Sequence, residues 1–571
     1  MRLRELILAS VAATALIAGC TTDTGAADGA VAEAKPSTPS APPPPPPPPM
    51  AESDQALQGI VVTGSRKDSA QEMGRMIPSP VIMAPPEPEF RDQYEDVESN
   101  PVKLVSEEPV STFSIDVDTA SYANVRRFLK GGTLPPKDAV RIEELINYFD
   151  YAYPQPKAGS DPFATQVTMM PSPFNAGRDL IQIGIQGRDI DREARPPINL
   201  TLLVDVSGSM HSEDKLPLAR QAMKLMLEEM EPTDTVAIVV YAGAAGEVLA
   251  PTPVSDKRKI VAALENLRAG GSTAGGEGLR LAYSLAEQGL KKDAVNRVML
   301  LTDGDFNVGI SDPEQLEDFV SRKRETGIYL SVLGFGRGNY NDAMMQKIAQ
   351  TGNGTAAYID TLSEARKVLA DDLSGNIFPI ADDVKIQVEF NPARISEYRL
   401  IGYETRMLER ADFNNDKVDA GDIGAGTSVT AIYEVTQTGS EATQIDPLRY
   451  GEAAAAGSTQ GEYAFVKLRY KAPGADTSKL LTYAVTDANR VASVDAAPEW
   501  ARFATAVAGF GEMLKGGEAL GTGFGWEAIR KLGSGAKGKD EFGYRAEFIE
   551  LTRLAETADA QAALNRPSQG E

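Results

Sequence analysis

The chain of 571 residues contains a single cysteine and a single histidine. One cysteine excludes an intramolecular disulfide and a cysteine-rich zinc site, and one histidine nearly excludes metal sites built on imidazoles. Basic residues are also scarce, since 57 Lys and Arg face 81 Asp and Glu, for a formal net charge of −24. This charge argues against nucleic acid as a partner, because phosphates are repelled, and it leaves cationic partners and divalent metals open.

The one cysteine ends a stretch that is typical of a secretory signal. MRLRELILASVAATALIAGC has two early arginines, an apolar run and small residues, and is too short to span a membrane. Ile17–Cys20 resembles the bacterial lipobox, so we predict a signal peptide over 1–19 and a lipid anchor on Cys20. Because Thr21 rather than aspartate follows, the resemblance implies the cell envelope, at the outer membrane of a Gram-negative bacterium. An ordinary cleaved signal with a stray thiol is the alternative.

Residues 20–98 are predicted to be a disordered, proline-rich tether. Pro42–Pro49 favours polyproline II, which at about 3.1 Å per residue gives a semi-rigid spacer of roughly 25 Å. Within the tether, Gly59–Arg66 (GIVVTGSR) resembles the TonB box and plug-start segments of outer-membrane receptors. Such a segment could add a strand to the sheet of a partner, and an accidental β-prone run is the alternative.

Strand and helix patterns alternate between residues 196 and 375. The alternation predicts an α/β domain with a doubly wound, mostly parallel sheet and helices on both faces. Strands are predicted at Asn199–Val204, Thr235–Tyr241, Arg297–Thr302 and Ile328–Gly334. Helices are predicted at Leu216–Met230, Lys257–Leu267, Gly276–Gln288, Pro313–Thr326 and Asn341–Gln350.

Further patterns lie on both sides of the α/β domain. Residues 99–195 are predicted to be an α+β region, residues 376–490 a β-rich region and residues 491–571 a helical region. We predict that the strands before and after the α/β domain share one sheet or sandwich. The α/β domain would then be an insertion between β-rich segments.

The segment NLTLLVDVSGSM leads an apolar strand directly into small polar residues. Asp205, Ser207 and Ser209 occupy alternate positions, so their side chains point the same way and converge. Oxygen ligands suit Mg²⁺, Mn²⁺ or Ca²⁺ rather than zinc or copper. Because Mg²⁺ requires six oxygens, other loops at the same edge of the sheet must contribute to the site.

Two later segments offer such ligands. AGGSTAGGEG places Thr273 in a glycine-rich loop before a helix, with Ser272 as the rival ligand. VMLLTDGDFN places Asp303 at the end of an apolar strand, with Asp305 as the rival. The structural alternatives are a capping loop before the helix at about Leu216 for Asp205–Ser209, a helix cap for Thr273 and a turn residue for Asp303.

The three segments together resemble the metal-ion-dependent adhesion site (MIDAS) of the von Willebrand factor type A (VWA) family, whose fold is Rossmann-like. The resemblance implies that Ser207, Ser209 and Thr273 bind the metal, the threonine directly or through water. It implies that Asp205 and Asp303 support them, often through water. Mg²⁺ is the expected cation, with Mn²⁺ or Ca²⁺ as alternatives, and a glutamate or aspartate of a protein partner completes its coordination.

The flanking segments FSIDVDTASYANVRRFL and VRIEELINYF resemble a bacterial subfamily of lipid-anchored VWA proteins. Its members have an extra N-terminal piece and a C-terminal domain of unknown function. The resemblance predicts an envelope lipoprotein that binds a protein partner through the metal. The alternative is an envelope scaffold in which the metal only stabilises the fold and partners bind the flanking regions.

Other motifs do not indicate an enzyme. No Walker sequence is present, and a Ser-His-Asp hydrolase would have to use His211 next to VSGSM, which is not a nucleophile elbow. Asp412–Asp422 resembles a calcium loop, but Lys417 stands where glycine is needed and the last acid comes one residue early. We predict a polar hairpin or turn there.

Overall fold

The computed structural model describes residue 92 and residues 94–565, except for 116–117, 158, 192–194, 243, 271–275, 305–311, 338–340, 419 and 447–460. The predicted signal peptide, Cys20, most of the tether and Gly59–Arg66 lie outside the described residues. Thr273 and the rival ligands Ser272 and Asp305 also lie outside them.

The strands of the described residues form three sheets. In chain order they are β1 (Lys103–Leu104), β2 (Val110–Ser114), β3 (Phe163–Pro171), β4 (Asp179–Gly187), β5 (Ile198–Asp205), β6 (Thr235–Tyr241), β7 (Ala245–Pro253), β8 (Val295–Thr302), β9 (Ile328–Phe335), β10 (Ala356–Ile359), β11 (Pro379–Phe390), β12 (Ile395–Ile401), β13 (Gly421–Gly424), β14 (Ser428–Gln437), β15 (Glu462–Lys471) and β16 (Ser478–Thr486).

The α-helices of the described residues pack on these sheets. They are α1 (Ala120–Lys130), α2 (Ile142–Asn147), α3 (Leu216–Glu229), α4 (Lys257–Glu265), α5 (Gly276–Gln288), α6 (Pro313–Arg324), α7 (Asp342–Thr351), α8 (Leu362–Arg366), α9 (Leu373–Ile377), α10 (Glu499–Leu514), α11 (Trp526–Gly535) and α12 (Tyr544–Asn565). Among the described helices, none is both long enough and apolar enough to cross a membrane.

The α/β domain is built on a six-stranded sheet in the order β10-β9-β8-β5-β6-β7. All neighbouring strands are parallel except β7, which runs antiparallel to β6. The chain enters at β5, builds β6 and β7 on one side, and then crosses to β8 on the other. The winding direction therefore changes between β5 and β8, where the carboxyl ends of the strands open a crevice. This sheet confirms the predicted doubly wound fold.

Two strands of this sheet, β7 and β10, were not predicted from the sequence. The edge strand β7 contains Pro251 and Pro253 and is half exposed, so it lacks the unbroken apolar run of a central strand. The other edge strand, β10, has only 4 residues. Both strands are defined by pairing with a neighbour rather than by their own composition.

The other two sheets form a β-sandwich, which encloses a second hydrophobic core. One of its sheets has the order β1-β12-β14-β4-β3, and in the other β13-β11-β15-β16 are joined by β2, which pairs with β11. Strand β4, which precedes the α/β domain, pairs antiparallel with β14, which follows it. The α/β domain is therefore inserted into the sandwich, as predicted.

A helical layer covers the outer face of the sheet that contains β4. Leu180 and Ile432 of this sheet share one core with Phe503, Phe510 and Phe548 from the C-terminal helices. Helix α2 packs on α10, and α10 packs on α11, which continues the layer to α12. This layer confirms the predicted helical C-terminal part.

The described part of Asp412–Asp422 contains the predicted turn, but it begins in a 3₁₀ helix and ends in a short strand. A 3₁₀ helix spans Arg410–Asn414, and β13 follows it. The Asp416 carboxylate accepts hydrogen bonds from Arg469 and Ser478, so it is engaged in holding β15 and β16. The Asp412 carboxylate accepts from the backbone N–H of Glu409 at 3.2 Å.

Arg126 on α1 connects three parts of the structure. Its side chain is 1% exposed and pairs with Asp360 and with Glu364, at 2.7 Å, both of the α/β domain. It also pairs with Glu547 on α12 at 3.1 Å and donates to the hydroxyl of Tyr148. A buried guanidinium surrounded in this way holds carboxylates that would otherwise be buried without a counter-charge.

We expect Arg126→Met to lower the free energy of unfolding by about 3–5 kcal/mol, because it leaves buried carboxylates uncompensated. Urea denaturation followed by circular dichroism measures the loss. Arg553→Met, at an exposed position of α12, is the matched control and should change stability by no more than about 0.5 kcal/mol. A loss in Arg126→Met as small as that of the control would contradict the prediction.

Candidate metal centre

Strand β5 delivers Asp205 to the carboxyl edge of the α/β sheet. Every residue of β5 is buried, and Asp205 itself is 0% exposed. Its Oδ1 accepts a hydrogen bond from the backbone N–H of Ser207 at 2.8 Å, which fixes the turn after the strand. The hydroxyls of Ser207 and Ser209 lie 2.8 Å apart. The alternating pattern thus places two hydroxyls side by side next to one buried carboxylate.

Asp303 comes from the neighbouring strand. It follows the last residue of β8 and is 0% exposed. Because Val204 of β5 pairs with Leu301 of β8, the two strands end side by side and bring both aspartates to the point where the winding changes. Burial raises the pKa of Asp205 to about 6; the hydrogen bonds to Ser207 oppose the rise and the charge of Asp303 adds to it.

Each aspartate has one buried oxygen without a hydrogen-bond partner among the described residues. These atoms are Oδ2 of Asp205 and Oδ1 of Asp303. A buried carboxylate oxygen in this state is costly, and a cation or its bound water would satisfy it. Carboxylate and hydroxyl oxygens are also the donor types that Mg²⁺, Mn²⁺ and Ca²⁺ prefer. The residues present therefore fit a divalent cation.

Lys215 also belongs to this site, although its sequence context did not predict it. Its Nζ donates to Oδ2 of Asp303 at 2.8 Å, and its side chain is 9% exposed. The stem passes Gly336, where a Cβ atom would lie 2.3 Å from Cγ of Lys215. Gly336 also has φ of +75°, a conformation that favours glycine. The fold thus makes room for a buried ammonium beside Asp303.

One signal in the sequence could have revealed this lysine. Lys215 directly precedes α3, where a positive charge opposes the helix dipole. Such a position is unfavourable for a lysine unless an anionic group elsewhere in the fold offsets its charge. That partner, Asp303, lies 88 residues further along the chain, and only the parallel sheet brings the two together.

The structure thus brings together Asp205, Ser207, Ser209 and Asp303, while Thr273 lies outside the described residues. His211 is the last residue of the 3₁₀ helix Gly208–His211, which contains Ser209, and it is exposed. The roles of the five predicted residues as metal ligands remain predictions.

Comparisons with known families agree with this architecture. A model of the von Willebrand factor type A domain matches residues 199–371, and a model described as von Willebrand factor matches residues 88–182. A third model, described as the C-terminal part of uncharacterized protein YfbK, matches residues 375–558. The chain is therefore a VWA-domain protein with a flanking region on each side.

The chain belongs to the YfbK family. It is 46% identical over 472 residues to uncharacterized protein YfbK of Escherichia coli (strain K12), and the match covers 81% of each chain. Human inter-alpha-trypsin inhibitor heavy chain H4 is 29% identical over 184 residues, which are 31% of this chain and 20% of that protein. The solved structure of von Willebrand factor type A from Catenulispora acidiphila aligns with 68% of this chain and 90% of its own, at 15% identity and a TM-score of 0.38.

We expect Lys215→Met to bind Mg²⁺ about tenfold more tightly than the wild type. The reason is that it removes a competing positive charge from Asp303, and tenfold corresponds to about 1.4 kcal/mol. Its melting temperature in EDTA should fall, because Asp303 is then buried without a counter-charge. Isothermal titration with MgCl₂ and thermal denaturation measure the two effects. Lys224→Met removes a lysine of α3 whose partner Glu265 is exposed, so as the control it should leave the Mg²⁺ affinity unchanged and lower the melting temperature much less.

An unchanged Mg²⁺ affinity in Lys215→Met would show that the ammonium does not compete with the metal. The double variant Ser207→Ala and Ser209→Ala tests the site itself and should lose Mg²⁺ binding.

Proposed function

We propose that this protein is a non-catalytic lipoprotein of the cell envelope that captures a protein partner through a divalent cation. Mg²⁺ is the expected ion, with Mn²⁺ or Ca²⁺ as alternatives. The residues proposed to hold it are Asp205, Ser207, Ser209, Thr273 and Asp303. The observation that carries the proposal is the pair of unpartnered buried oxygens of Asp205 and Asp303, next to two adjacent hydroxyls.

The chain's own residues suit this task. Ser207 and Ser209 are neutral, so a cation that they hold keeps much of its charge and attracts a carboxylate of the partner. Ser209 is exposed, which leaves this side of the site open to a macromolecule. Asp205 fixes the backbone of Ser207, and such supporting contacts orient ligands at metal sites. When bound, the cation supplies the coordination position that the partner fills.

A structural role is the second candidate. The flanking sandwich and helical layer make up much of the described chain, and buried ion pairs such as Arg126–Glu364 lock them to the α/β domain. In that case the metal would only compensate the negative charge of the buried carboxylates and so stabilise the fold. Partners would then bind the flanking regions, and their capture would not depend on metal.

We expect the full chain to recover its partner from envelope extract in Mg²⁺ but not in EDTA. The double variant Ser207→Ala and Ser209→Ala should fail in Mg²⁺ as well, whereas Ser212→Ala, at an exposed serine of the same loop, should behave like the wild type. Affinity capture followed by mass spectrometry provides the measurement. A partner recovered equally under all conditions would favour the structural role and contradict metal-dependent capture.

The proposed envelope location makes a separate prediction. The wild type should incorporate radioactive palmitate and fractionate with membranes, because acyl chains on Cys20 would anchor it. Cys20→Ser should lose the label and the anchor. Lipid labelling that persists in Cys20→Ser would show that this cysteine is not the attachment site.

A further inference from the structure

A cavity of about 390 Å³ lies where the α/β domain meets the sandwich. It lies at the amino ends of the parallel strands, whereas the metal centre lies at their carboxyl ends. Its lining includes Arg297 from β8 and Gln350 from α7 on one side, and Thr405 and Asp422 from the sandwich regions on the other. The volume falls in the range of small-molecule sites, which is about 300–1,000 Å³.

Arg297 is buried in the wall of this cavity and is 3% exposed. Its Nη1 donates to Oγ of Ser331 at 2.6 Å, and its Nη2 donates to the backbone oxygen of Ile377 at 3.3 Å. Its Nε is buried and has no partner among the described residues. Since a guanidinium has five N–H donors, the contacts with described residues leave most of them unused.

No carboxylate of the described residues forms an ion pair with Arg297. Other buried arginines of this protein are compensated, since Arg126 pairs with three carboxylates and Arg141 with Glu144 and Asp342. Burial accordingly lowers the pKa of Arg297 to about 10, and the nearby Tyr329 and Asp422 offset this only in part. The fold thus keeps a desolvated cation without a full counter-charge beside a cavity.

The rest of the lining is also suited to an anion. Lys347 and Arg406 add positive charge, although each also has an acidic neighbour, Glu317 at 2.7 Å and Asp118 at 3.4 Å, respectively. Oγ1 of Thr405 is buried without a hydrogen-bond partner among the described residues. Asp422 is the acidic side chain in the lining, so the cationic side chains outnumber the acidic one.

We propose that this cavity binds a small molecule or ion that carries a carboxylate or phosphate group, with the Arg297 guanidinium as its charge partner. Planar guanidinium donors match both oxyanions, and the charge-assisted hydrogen bonds are strong in a buried site. Because the cavity has walls from both the α/β domain and the sandwich, the bound anion strengthens the contact between them. This site is independent of the metal centre.

The test titrates the full chain with inorganic phosphate and, separately, with succinate. EDTA is present so that the metal centre does not contribute, and ionic strength is held constant with NaCl. Isothermal titration gives the dissociation constant, and thermal denaturation gives the stabilisation. At least one probe should bind and raise the melting temperature of the wild type; which of them does so identifies the oxyanion class.

Arg297→Gln should bind the probe at least tenfold more weakly, whereas Arg258→Gln, at an exposed arginine on α4, should bind like the wild type. Gln350→Glu keeps Arg297 and adds a negative charge to the lining with little change in shape, so it should weaken binding about fivefold. This variant decides the outcome if Arg297→Gln does not fold. Binding that is equal in both cavity variants and the wild type, or stabilisation no greater than that by NaCl, overturns the proposal.

Discussion

The antiparallel pairing of β4 with β14 is the constraint on which the rest of the structure depends. It joins strands from opposite sides of the inserted domain, with Ile183 opposite Ala431. Side chains alternate along β4, so Ile181, Ile183 and Ile185 fill the sandwich core. On the other face, Gln182 donates to Ala501 and Thr505 of α10 and so ties the helical layer to the sheet. One strand pair therefore unites two cores.

Buried charges distinguish the structural regions from the candidate sites. At Arg126 the fold supplies several carboxylates, and the result is a rigid junction. At Asp303 it supplies one ammonium and leaves an oxygen without a partner among the described residues. At Arg297 it supplies two neutral oxygens as hydrogen-bond acceptors, and the nearby Asp422 offsets the burial of the charge only in part. A ligand of opposite charge can compensate a buried charge that the fold leaves partly uncompensated. Such positions are therefore candidates for functional sites.

The sequence was sufficient to predict the strands whose residues are mostly apolar and buried. The apolar runs of β5, β6, β8 and β9 predicted the central sheet, and strand ends predicted that Asp205 and Asp303 would meet. The edge strands β7 and β10 were missed because pairing, not composition, defines them. Lys215 and Arg297 were not identified as site residues because both look like ordinary solvated charges beside an element end. Their burial arises only when distant segments pack against them.

The insertion has a consequence for how this architecture can vary. The chain leaves the sandwich after β4 and returns at β11 at nearly the same point, since a Cβ atom on Gly187 would lie 2.8 Å from Cδ1 of Ile380. The chain therefore enters and leaves the inserted domain at nearly the same place on the sandwich. A different α/β domain at this place would need similarly spaced ends, and it would also have to replace the contacts that Asp360 and Glu364 make with Arg126 of α1. The α/β domain is thus connected to the sandwich at one place in the chain but is coupled to the flanking regions through α1.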